Sequence, residues 1–275
     1  MNREDFTEYL LPFLALALGL LAWEGTVRYY AIPPYIMPAP SLVIVTLVED
    51  WGTLSGSLKV TLFITFEALA AAVVGSVALA IVFTQWRIVE RVFFPFAVAM
   101  QVTPIVAIAP LLLIYLSSAD AVLVVAFLVA FFPILANTTL GLSSADRNLV
   151  DLFQLYRASR WRQLVWLRLP CALPYFLAGL RIGGGLALIG AIVAEIAAGS
   201  GGSAGSAGWL ASLVGIHGPG LAFRIVEAGF RLKIPRMFAA LLLISASGIT
   251  IYLMLSALSY LLLRHWHESA RGRET

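Results

Sequence analysis

Long apolar runs, separated by short segments that carry the charges, dominate the hydropathy pattern of the chain. The runs 92–119, 121–145 and 237–263 contain no Asp, Glu, Lys or Arg. About 20 apolar residues cross the hydrocarbon core of a bilayer, so each of these runs is long enough to span it. The pattern predicts six membrane-spanning helices, which cover residues 9–28, 60–85, 92–116, 120–141, 173–198 and 237–263.

The overall composition agrees with a membrane protein. Hydrophobic residues make up 61% of the 275 positions and charged residues 12%, whereas soluble domains contain roughly 45–50% apolar and 25% charged residues. The opening segment, MNREDFTEYL, carries both charge signs, and no small-residue cleavage site follows the first apolar run, so we expect that run to be retained. We predict an all-α fold that forms a single transmembrane domain over residues 1–275.

Arginines gather in three of the segments between or after the predicted spans. Arg87 and Arg91 follow the second span, five arginines lie between the fourth and fifth spans, and three follow the sixth. Cytoplasmic loops are enriched in Lys and Arg, so we expect all three segments, and both chain termini, to be cytoplasmic. These scattered arginines also account for the net charge of +3, so we expect no nucleic-acid partner.

The connector 199–236, which this orientation places outside, carries charges of its own. Its first part, GSGGSAGSAG, is typical of a flexible linker. Further on, one helical stripe consists of apolar residues, namely Leu221, Ile225, Ala228 and Leu232. A second stripe is charged and contains Arg224, Glu227 and Arg231. This pattern predicts an amphipathic helix at the membrane interface.

A second external segment, YAIPPYIMPAPS at 30–41, contains prolines that are typical of a turn. It leads to a predicted short helix over residues 41–50, for which Ser41 is the expected N-cap. We assign no chemistry to this segment.

Apart from Arg28 and Asp120 at the very ends of their spans, four charged residues fall inside the predicted spans, where a charge is costly and marks either a buried pair or a functional position. Glu24 and Glu195 are close to the outer ends of their helices, so we expect both at the membrane interface. Glu67 and Arg181 lie deeper. Each of these two either pairs with another group or lines a pathway through the membrane, and the sequence leaves both interpretations open.

Three prolines distinguish the third span, at Pro95, Pro104 and Pro110. Each lacks a backbone donor and leaves a carbonyl that lipid cannot satisfy. We therefore expect this helix to be enclosed by protein or to line a water-filled route. Met100 and Gln101 share a helical face with Pro104 and are candidate pathway residues.

Two other spans contain polar or small residues that matter for helix packing. Asn137 in the fourth span is a candidate pathway residue, although an interhelical hydrogen bond is the interpretation that we favour. In the fifth span, Gly179 and Gly183 form a small-xxx-small pair. We expect this face to pack closely against another helix, either within the bundle or across a dimer.

No arrangement of residues for bond chemistry stands out in the sequence. The three histidines, His217, His265 and His267, have no cysteine or acidic cluster beside them that would complete a metal site. Both lysines, Lys59 and Lys233, follow a leucine, so no Walker A loop can form. We expect no catalytic residues, no metal and no cofactor in this chain, and we expect any ATP that drives it to be bound by another chain.

The charged stretch DLFQLYRASRWRQLVWLRLP, at 151–170, resembles the EAA loop of binding-protein-dependent ABC transporter permeases. The family pattern is Glu-Ala-Ala, three residues, Gly, nine residues, Ile, one residue, Leu-Pro. With its Leu-Pro on Leu169 and Pro170, its Gly falls on Arg157 and its Glu on Asp151. The spacing is kept, while several residue types differ.

Other segments resemble the taurine, sulfonate and nitrate group of these permeases, over about residues 12–267. These segments are PAPS at 38–41, QVTPIVAIAPLLLIY at 101–115, ASRWRQL at 158–164, LPCALPYFLAGLRIGGGL at 169–186, AE at 194–195 and IPRMFAALLLI at 234–244. The resemblance implies the type I ABC importer permease fold and a bacterial inner-membrane protein. It also implies ATP-binding subunits, an external solute-binding protein, and a second permease copy, in a homodimer or a heterodimer surrounded by membrane lipid.

The resemblance assigns ATPase coupling to the loop 142–172, which we call the coupling loop. It implies a short helix there that docks onto the ATPase subunit, with coupling residues Asp151, Arg157, Ser159, Arg160, Trp161, Leu169 and Pro170. The solutes that it implies are small anions or heterocycles, such as sulfonates, nitrate or pyrimidines. Two other hypotheses are a membrane scaffold without a pathway and a secondary transporter driven by an ion gradient, which would ordinarily show internal repeats with paired broken helices.

The arginine distribution predicts on which side of the membrane reporters fused to the chain will lie. A reporter fused after Arg162 should be cytoplasmic, and one fused near Gly205 should be external. Paired fusions to alkaline phosphatase, which is active only outside, and to a fluorescent protein, which matures inside, measure both positions. Phosphatase activity at residue 162 would reverse the predicted orientation.

Overall fold

Helices form the regular structure of this chain wherever the computed structural model describes it, which is over residues 3–200, 215 and 218–264. In chain order they are α1 Arg3–Tyr29, α2 Pro40–Glu49, α3 Trp51–Gln85, α4 Arg87–Val102, α5 Ile105–Tyr115, α6 Ser118–Ser143, α7 Arg147–Leu155, α8 Arg160–Gln163, α9 Leu169–Ser200, α10 Leu221–Phe230 and α11 Ile234–Leu263. A π-helical turn, Leu164–Arg168, joins α8 to α9. The predicted all-α fold is confirmed.

Five helical stretches of the described residues are long and apolar enough to cross a membrane: Leu11–Tyr29, Trp51–Gln85, Ser118–Ser143, Arg160–Gly199 and Ile234–Leu263. They correspond to the first, second, fourth, fifth and sixth predicted spans. The fifth is longer than the predicted 173–198, because the helix continues into the coupling loop.

The third predicted span is not one straight helix. Its two halves, Arg87–Val102 and Ala107–Tyr115, are bent by 105°, and they make a sixth span only if the bent pair is counted as one. Pro104 explains the bend, since it cannot donate to the carbonyl one turn back and it restricts the preceding residue to extended backbone. Thr103 has this extended conformation, with a ψ of 129°.

The core lies between α3, α6 and α9. Buried residues of all three helices form one cluster, which includes Ile64, Ala126 and Ala191. Two glycines bring the backbone of α9 against α6. A Cβ on Gly179 would lie 2.8 Å from Asn137 Cβ, and a Cβ on Gly190 would lie 2.9 Å from Ala126 Cα. The close packing predicted for the glycine face of the fifth span is therefore confirmed, and it occurs within the bundle.

Glu24 forms a polar network with the start of α2, at the predicted outer end of the bundle. Its carboxylate accepts from Arg28 Nε at 2.6 Å and from the hydroxyl and N–H of Ser41 at 2.8 and 3.0 Å. The prediction of Ser41 as an N-cap is wrong, because its hydroxyl bonds to Glu24 instead. Ala39 is the N-cap, and α2 begins at Pro40, where a missing N–H costs nothing.

Charged side chains connect other helices at the same end. Arg236 at the start of α11 donates to both oxygens of Asp50, at 2.5 and 2.7 Å, and this bond lowers the pKa of the Asp50 carboxyl. Arg224 of α10 donates to Ser57 of α3 at 3.0 Å and to Glu227 at 2.8 Å. The charged stripe predicted for the connector therefore bonds largely to protein groups.

The structure confirms the amphipathic character of α10, and protein covers part of its apolar stripe. Leu221 and Ala228 are buried in protein, and Leu221 belongs to a cluster with Leu54 of α3 and Leu243 of α11. The apolar stripe of a short helix can be covered by neighbouring helices as well as by lipid. Leu232 lies past the end of the helix and is exposed.

A buried carboxylate holds the first turn of α10. Glu195 of α9 is 2% exposed, so its predicted location at the interface is wrong. One of its oxygens accepts from Thr61 Oγ1 at 2.9 Å and the other from the Ala222 N–H at 3.0 Å. Thr61 Oγ1 in turn accepts from the Leu221 N–H at 2.8 Å. The free N–H groups that begin a helix are thus satisfied here by side chains of two other helices. We call Thr61, Glu195 and residues 220–222 the Glu195 cluster.

Gly220 provides the room for this cluster, since a Cβ there would overlap the Glu195 carboxylate. We expect Gly220→Ala to separate Glu195 from the α10 backbone and to lower the free energy of unfolding by about 1–3 kcal/mol, the usual cost of a buried polar group without its partner. Thermal unfolding of the purified protein in detergent measures this change.

The matched control is Gly229→Ala, in the same helix, where an added Cβ has nothing within 4 Å. We expect this variant to unfold at or slightly above the temperature of the wild type, because Ala is favoured over Gly at an unstrained helical position. Equal transition temperatures for the two variants would mean that a Cβ at position 220 is accommodated.

Candidate functional site

The coupling loop contains α7, a helix whose apolar residues are exposed or only partly covered by the described part of the chain. Asp146 caps it by accepting from the Asn148 N–H at 2.9 Å. None of the 9 residues of α7 is buried, Asp151 among them, and Leu155 at its end is 80% exposed. Exposed apolar groups rimmed by polar ones are typical of an interaction surface.

The turn after α7 has the backbone geometry of a glycine but contains Arg157, whose φ is 50°. The Arg157 N–H donates to the Gln154 carbonyl at 2.8 Å, and the Ala158 N–H donates to the Phe153 carbonyl at 2.9 Å. These are the two bonds of a Schellman motif, in which the left-handed residue is usually glycine. The Gly of the EAA pattern falls on this residue, so the turn is formed although the residue type differs.

Ser159 begins the next helical segment. Its hydroxyl accepts from the Arg162 N–H at 3.3 Å, which makes it the N-cap of α8. The π-helical turn follows, and the Leu169 N–H donates back to the Leu164 carbonyl. Leu169 and Pro170 therefore lie at the junction between the π-helical turn and α9, within the continuous helical stretch Arg160–Gly199.

This part of the loop has two different faces. Leu164 is buried in a cluster with Phe83 of α3 and Leu135 of α6. Arg160 and Trp161 are exposed, and the exposed fraction of Trp161 is 62%. The inner face fixes the segment to the bundle, and the outer face presents a cation and an indole ring to the surroundings.

Three of the six candidate pathway residues, Met100, Gln101 and Pro104, are exposed at the bend between α4 and α5. α4 has no buried residue in the part of the chain that the structure describes. Within a single chain, the expectation that protein encloses this segment is therefore wrong for α4, whereas α5 packs on the core through Ala109.

The other three candidates lie within the bundle. Glu67 on α3 is 8% exposed. The Asn137 amide donates to the Pro133 carbonyl of its own helix at 2.8 Å, rather than forming the interhelical bond that we favoured. The Arg181 guanidinium lies 5.9 Å from the centroid of the Tyr252 ring on α11, within the range of cation-π attraction. The six candidates do not share one surface of the single chain.

Two structural features that position the candidate site residues were not predicted from the sequence. The Glu195 cluster joins Thr61 to Leu221 and to Glu195, and residues so distant along the chain leave no local spacing pattern. The sequence did contain a signal for the bend at Thr103, because a residue that precedes proline disfavours helical backbone.

These features define a class of protein: a multi-pass helical membrane protein in which an exposed loop is continuous with one of the spans. The model of the family described as binding-protein-dependent transport system inner membrane component matches residues 72–270. The chain belongs to this family, and it is a permease subunit of an ABC importer. Family membership implies ATP-binding subunits and a solute-binding protein as partners, and it favours this function over a secondary transporter.

Named relatives agree with this membership. The chain is 30% identical over 244 residues to a probable ABC transporter permease protein of Haemophilus influenzae, which covers 88% of this chain and 92% of the relative. It is 30% identical over 277 residues to the riboflavin transport system permease protein RibX of Chloroflexus aurantiacus, and this match covers 98% of this chain and 94% of the relative. It is 34% identical over 188 residues to the formylaminopyrimidine transport permease protein ThiX of Halalkalibacterium halodurans, and this match covers 68% of this chain and 75% of the relative.

We expect Arg157→Gly to stabilise the turn after α7. A residue with a Cβ loses roughly 1–2 kcal/mol in the left-handed conformation, and glycine does not. The free energy of unfolding should therefore rise by about 1 kcal/mol. Arg157→Ala removes the same charge but keeps the Cβ, so this matched control should not be stabilised. Thermal unfolding compares the two, and a Gly variant no more stable than the Ala variant would contradict the strain.

Proposed function

We propose that the coupling loop transmits movement of an ATP-binding subunit to the spans of this permease, and that Arg160 and Trp161 are the main docking residues. The observation that carries the proposal is the continuous helical stretch Arg160–Gly199. Its first turn presents both docking residues, and Glu195 near its far end bonds to α10 at 3.0 Å. Movement of a rigid helix at one end displaces the other, so docking at the loop would move the opposite end of the bundle.

The remaining coupling residues have a supporting role in this proposal. Arg157 and Ser159 form the turn and the N-cap between α7 and α8. Leu169 and Pro170 lie where the π-helical turn becomes α9. Asp151 is exposed on α7 and is available to the partner. Together they set the orientation of the docking residues relative to the span.

A second copy of this chain is the proposed cover for the bend between α4 and α5. Met100, Gln101 and Pro104 lie there outside the core. The Gln101 amide and the carbonyl groups freed by proline are unfavourable in lipid. In a homodimer, these residues of two copies would face one another and line a shared pathway. The candidates inside the bundle would lie beside that pathway and stabilise the helices that surround it; these are Glu67, Asn137 and Arg181.

The transported solute is, in this proposal, a small anion or a heterocycle. Relatives of this chain are named for riboflavin, formylaminopyrimidine, nitrate and aliphatic sulfonates. These names cover ring compounds and small oxyanions. We infer that this permease conducts a solute of one of these two classes, delivered at its outer face by the solute-binding protein.

The proposed location is the bacterial inner membrane, with both termini and the coupling loop in the cytoplasm. The arginine-rich segments support this orientation, and it brings the loop to the side where ATP is available. We propose that the partner subunits alone bind the nucleotide, since neither Lys59 nor Lys233 follows a glycine. The permease would then conduct its solute without catalysing bond chemistry and without a metal or cofactor of its own.

Replacing both Arg160 and Trp161 with Ala should uncouple transport from ATP hydrolysis. Truncation of an interface Trp or Arg commonly costs ~2 kcal/mol or more, or about thirtyfold in affinity for each residue. Membrane insertion should be unaffected, because both side chains are exposed. In proteoliposomes that contain the whole transporter, ATP-dependent uptake should be lost, and the variant should retain less of the ATPase subunit during purification.

The matched control replaces Trp51 and Lys59 with Ala. This change removes one exposed indole and one exposed cation from the first turns of α3, at the end that lies away from the coupling loop. This control should keep its ATPase subunits. An Arg160→Ala/Trp161→Ala variant that holds its ATPase subunits and takes up solute like the control would exclude these two residues as the docking site. Uptake by the permease alone under an ion gradient would instead contradict ATP coupling itself.

A further inference from the structure

A cleft of about 690 Å³ opens beside the coupling loop, where α3 and α6 end and where α4 and α7 begin. Its walls include four arginines, Arg87, Arg91, Arg147 and Arg168. They come from three segments that are separate in the sequence and meet only in the fold. We call this site the arginine cleft.

Positive charge exceeds negative charge in the arginine cleft. The four arginines are accompanied by two carboxylates, Glu90 and Asp151. Arg168 donates to the Leu142 carbonyl at 3.4 Å. Across the described residues, ion pairs are formed by arginines outside the cleft, namely Arg28, Arg224, Arg231 and Arg236. The guanidinium groups of the cleft are therefore available to an anion from outside the chain.

The wall beside these arginines is apolar and continues onto the surface of α4. Phe83, Phe94 and Pro95 line the cleft itself. Beyond them on the same face of α4, four and eight residues after Phe94, Val98 and Val102 are exposed, and the exposed fraction of Val102 is 77%. A molecule in the cleft would meet guanidinium groups at one end and a continuous path of apolar side chains at the other.

We infer that the arginine cleft binds an anionic phospholipid. The phosphate lies among Arg87, Arg91 and Arg147, and the acyl chains follow the apolar face of α4 along Phe94, Val98 and Val102. Guanidinium groups bind phosphate oxygens in a bidentate manner, and basic pockets beside spans on the cytoplasmic side recognise lipid headgroups. An acidic protein segment would match the charge but would leave this apolar face of α4 uncovered, so the lipid is the occupant that satisfies both parts of the site.

The position of the site connects lipid to coupling. Arg147 belongs to α7 of the coupling loop, whereas Arg87 and Arg91 belong to the first two turns of α4. A phosphate bound by all three holds the loop against the corner between α3 and α4. Anionic lipid should therefore support ATP-dependent uptake as well as bind.

The test uses the whole transporter, with its ATPase subunits attached, after removal of bound lipid. Phosphatidylglycerol or phosphatidylcholine is added back, and native mass spectrometry counts the bound lipid. The wild type should bind phosphatidylglycerol more tightly. In Arg87→Gln/Arg91→Gln that affinity should fall about twenty-fivefold, since each guanidinium near an anionic lipid contributes about fivefold, or ~1 kcal/mol. Affinity for phosphatidylcholine should not change.

Two further variants keep the result interpretable. Arg157→Gln/Arg162→Gln removes two exposed arginines of the same loop that do not line the cleft, and it should bind phosphatidylglycerol like the wild type. Arg147→Gln alone should lose about fivefold in affinity. It tests the site independently if the double variant in the cleft does not fold.

Three results would overturn the inference. An equal loss of affinity in the cleft variant and the Arg157/Arg162 control would mean that general surface charge attracts the lipid. Inorganic phosphate that binds the stripped transporter as tightly as phosphatidylglycerol would make the cleft a site for soluble anions. Lipid binding that appears only after the ATPase subunits are removed would mean that an acidic face of those subunits occupies the cleft.

Discussion

The rest of the structure depends on the close approach of α6 and α9. Lipid gives helices no hydrophobic reason to associate, so contact between backbones has to come from small residues and van der Waals packing. Gly179 and Gly190 provide it, because a Cβ at either position would lie within 3 Å of an atom of α6. With α9 fixed in this way, the coupling loop at its start and Glu195 near its end have defined positions.

Charge is distributed differently at the two ends of this bundle. At the predicted outer end, charged groups bond across helices, as Glu195 does to α10 and Arg236 does to Asp50. At the coupling end, the arginines around the cleft have no ion pair within the described residues. One end therefore satisfies its own charges, and the other offers them to partners. This difference fits a permease whose ATPase subunits associate at the coupling end.

Local patterns were sufficient to predict the all-α fold and most of the spans. Hydropathy located the spans because burial in lipid requires long apolar runs, and the resemblance to the EAA pattern was aligned on Leu169-Pro170. The spacing also identified Arg157 as the glycine position, where the structure has a φ of 50°. These features depend on residues that are neighbours along the chain.

The errors concern partners that only the folded chain brings together. Distance along a helix placed Glu195 near an interface, because nothing in the sequence indicated that α10 would cover it. Asn137 is a different case, because its amide donates to the Pro133 carbonyl, four residues back on its own helix. For Thr103-Pro104 the prolines were interpreted as a sign of enclosure, and the bend that Pro104 produces was not predicted. The choice between such outcomes is made by tertiary packing.

The Glu195 cluster has a consequence for the order in which the chain assembles. α10 has 10 residues, fewer than the about 12–15 that an isolated helix needs to be even marginally stable in water. The acceptors for its first N–H groups are on α3 and α9. α10 therefore acquires its capping groups only after both of those helices have been inserted and packed together. α10 is therefore a late element of the fold, and its formation reports that α3 and α9 are already packed against each other.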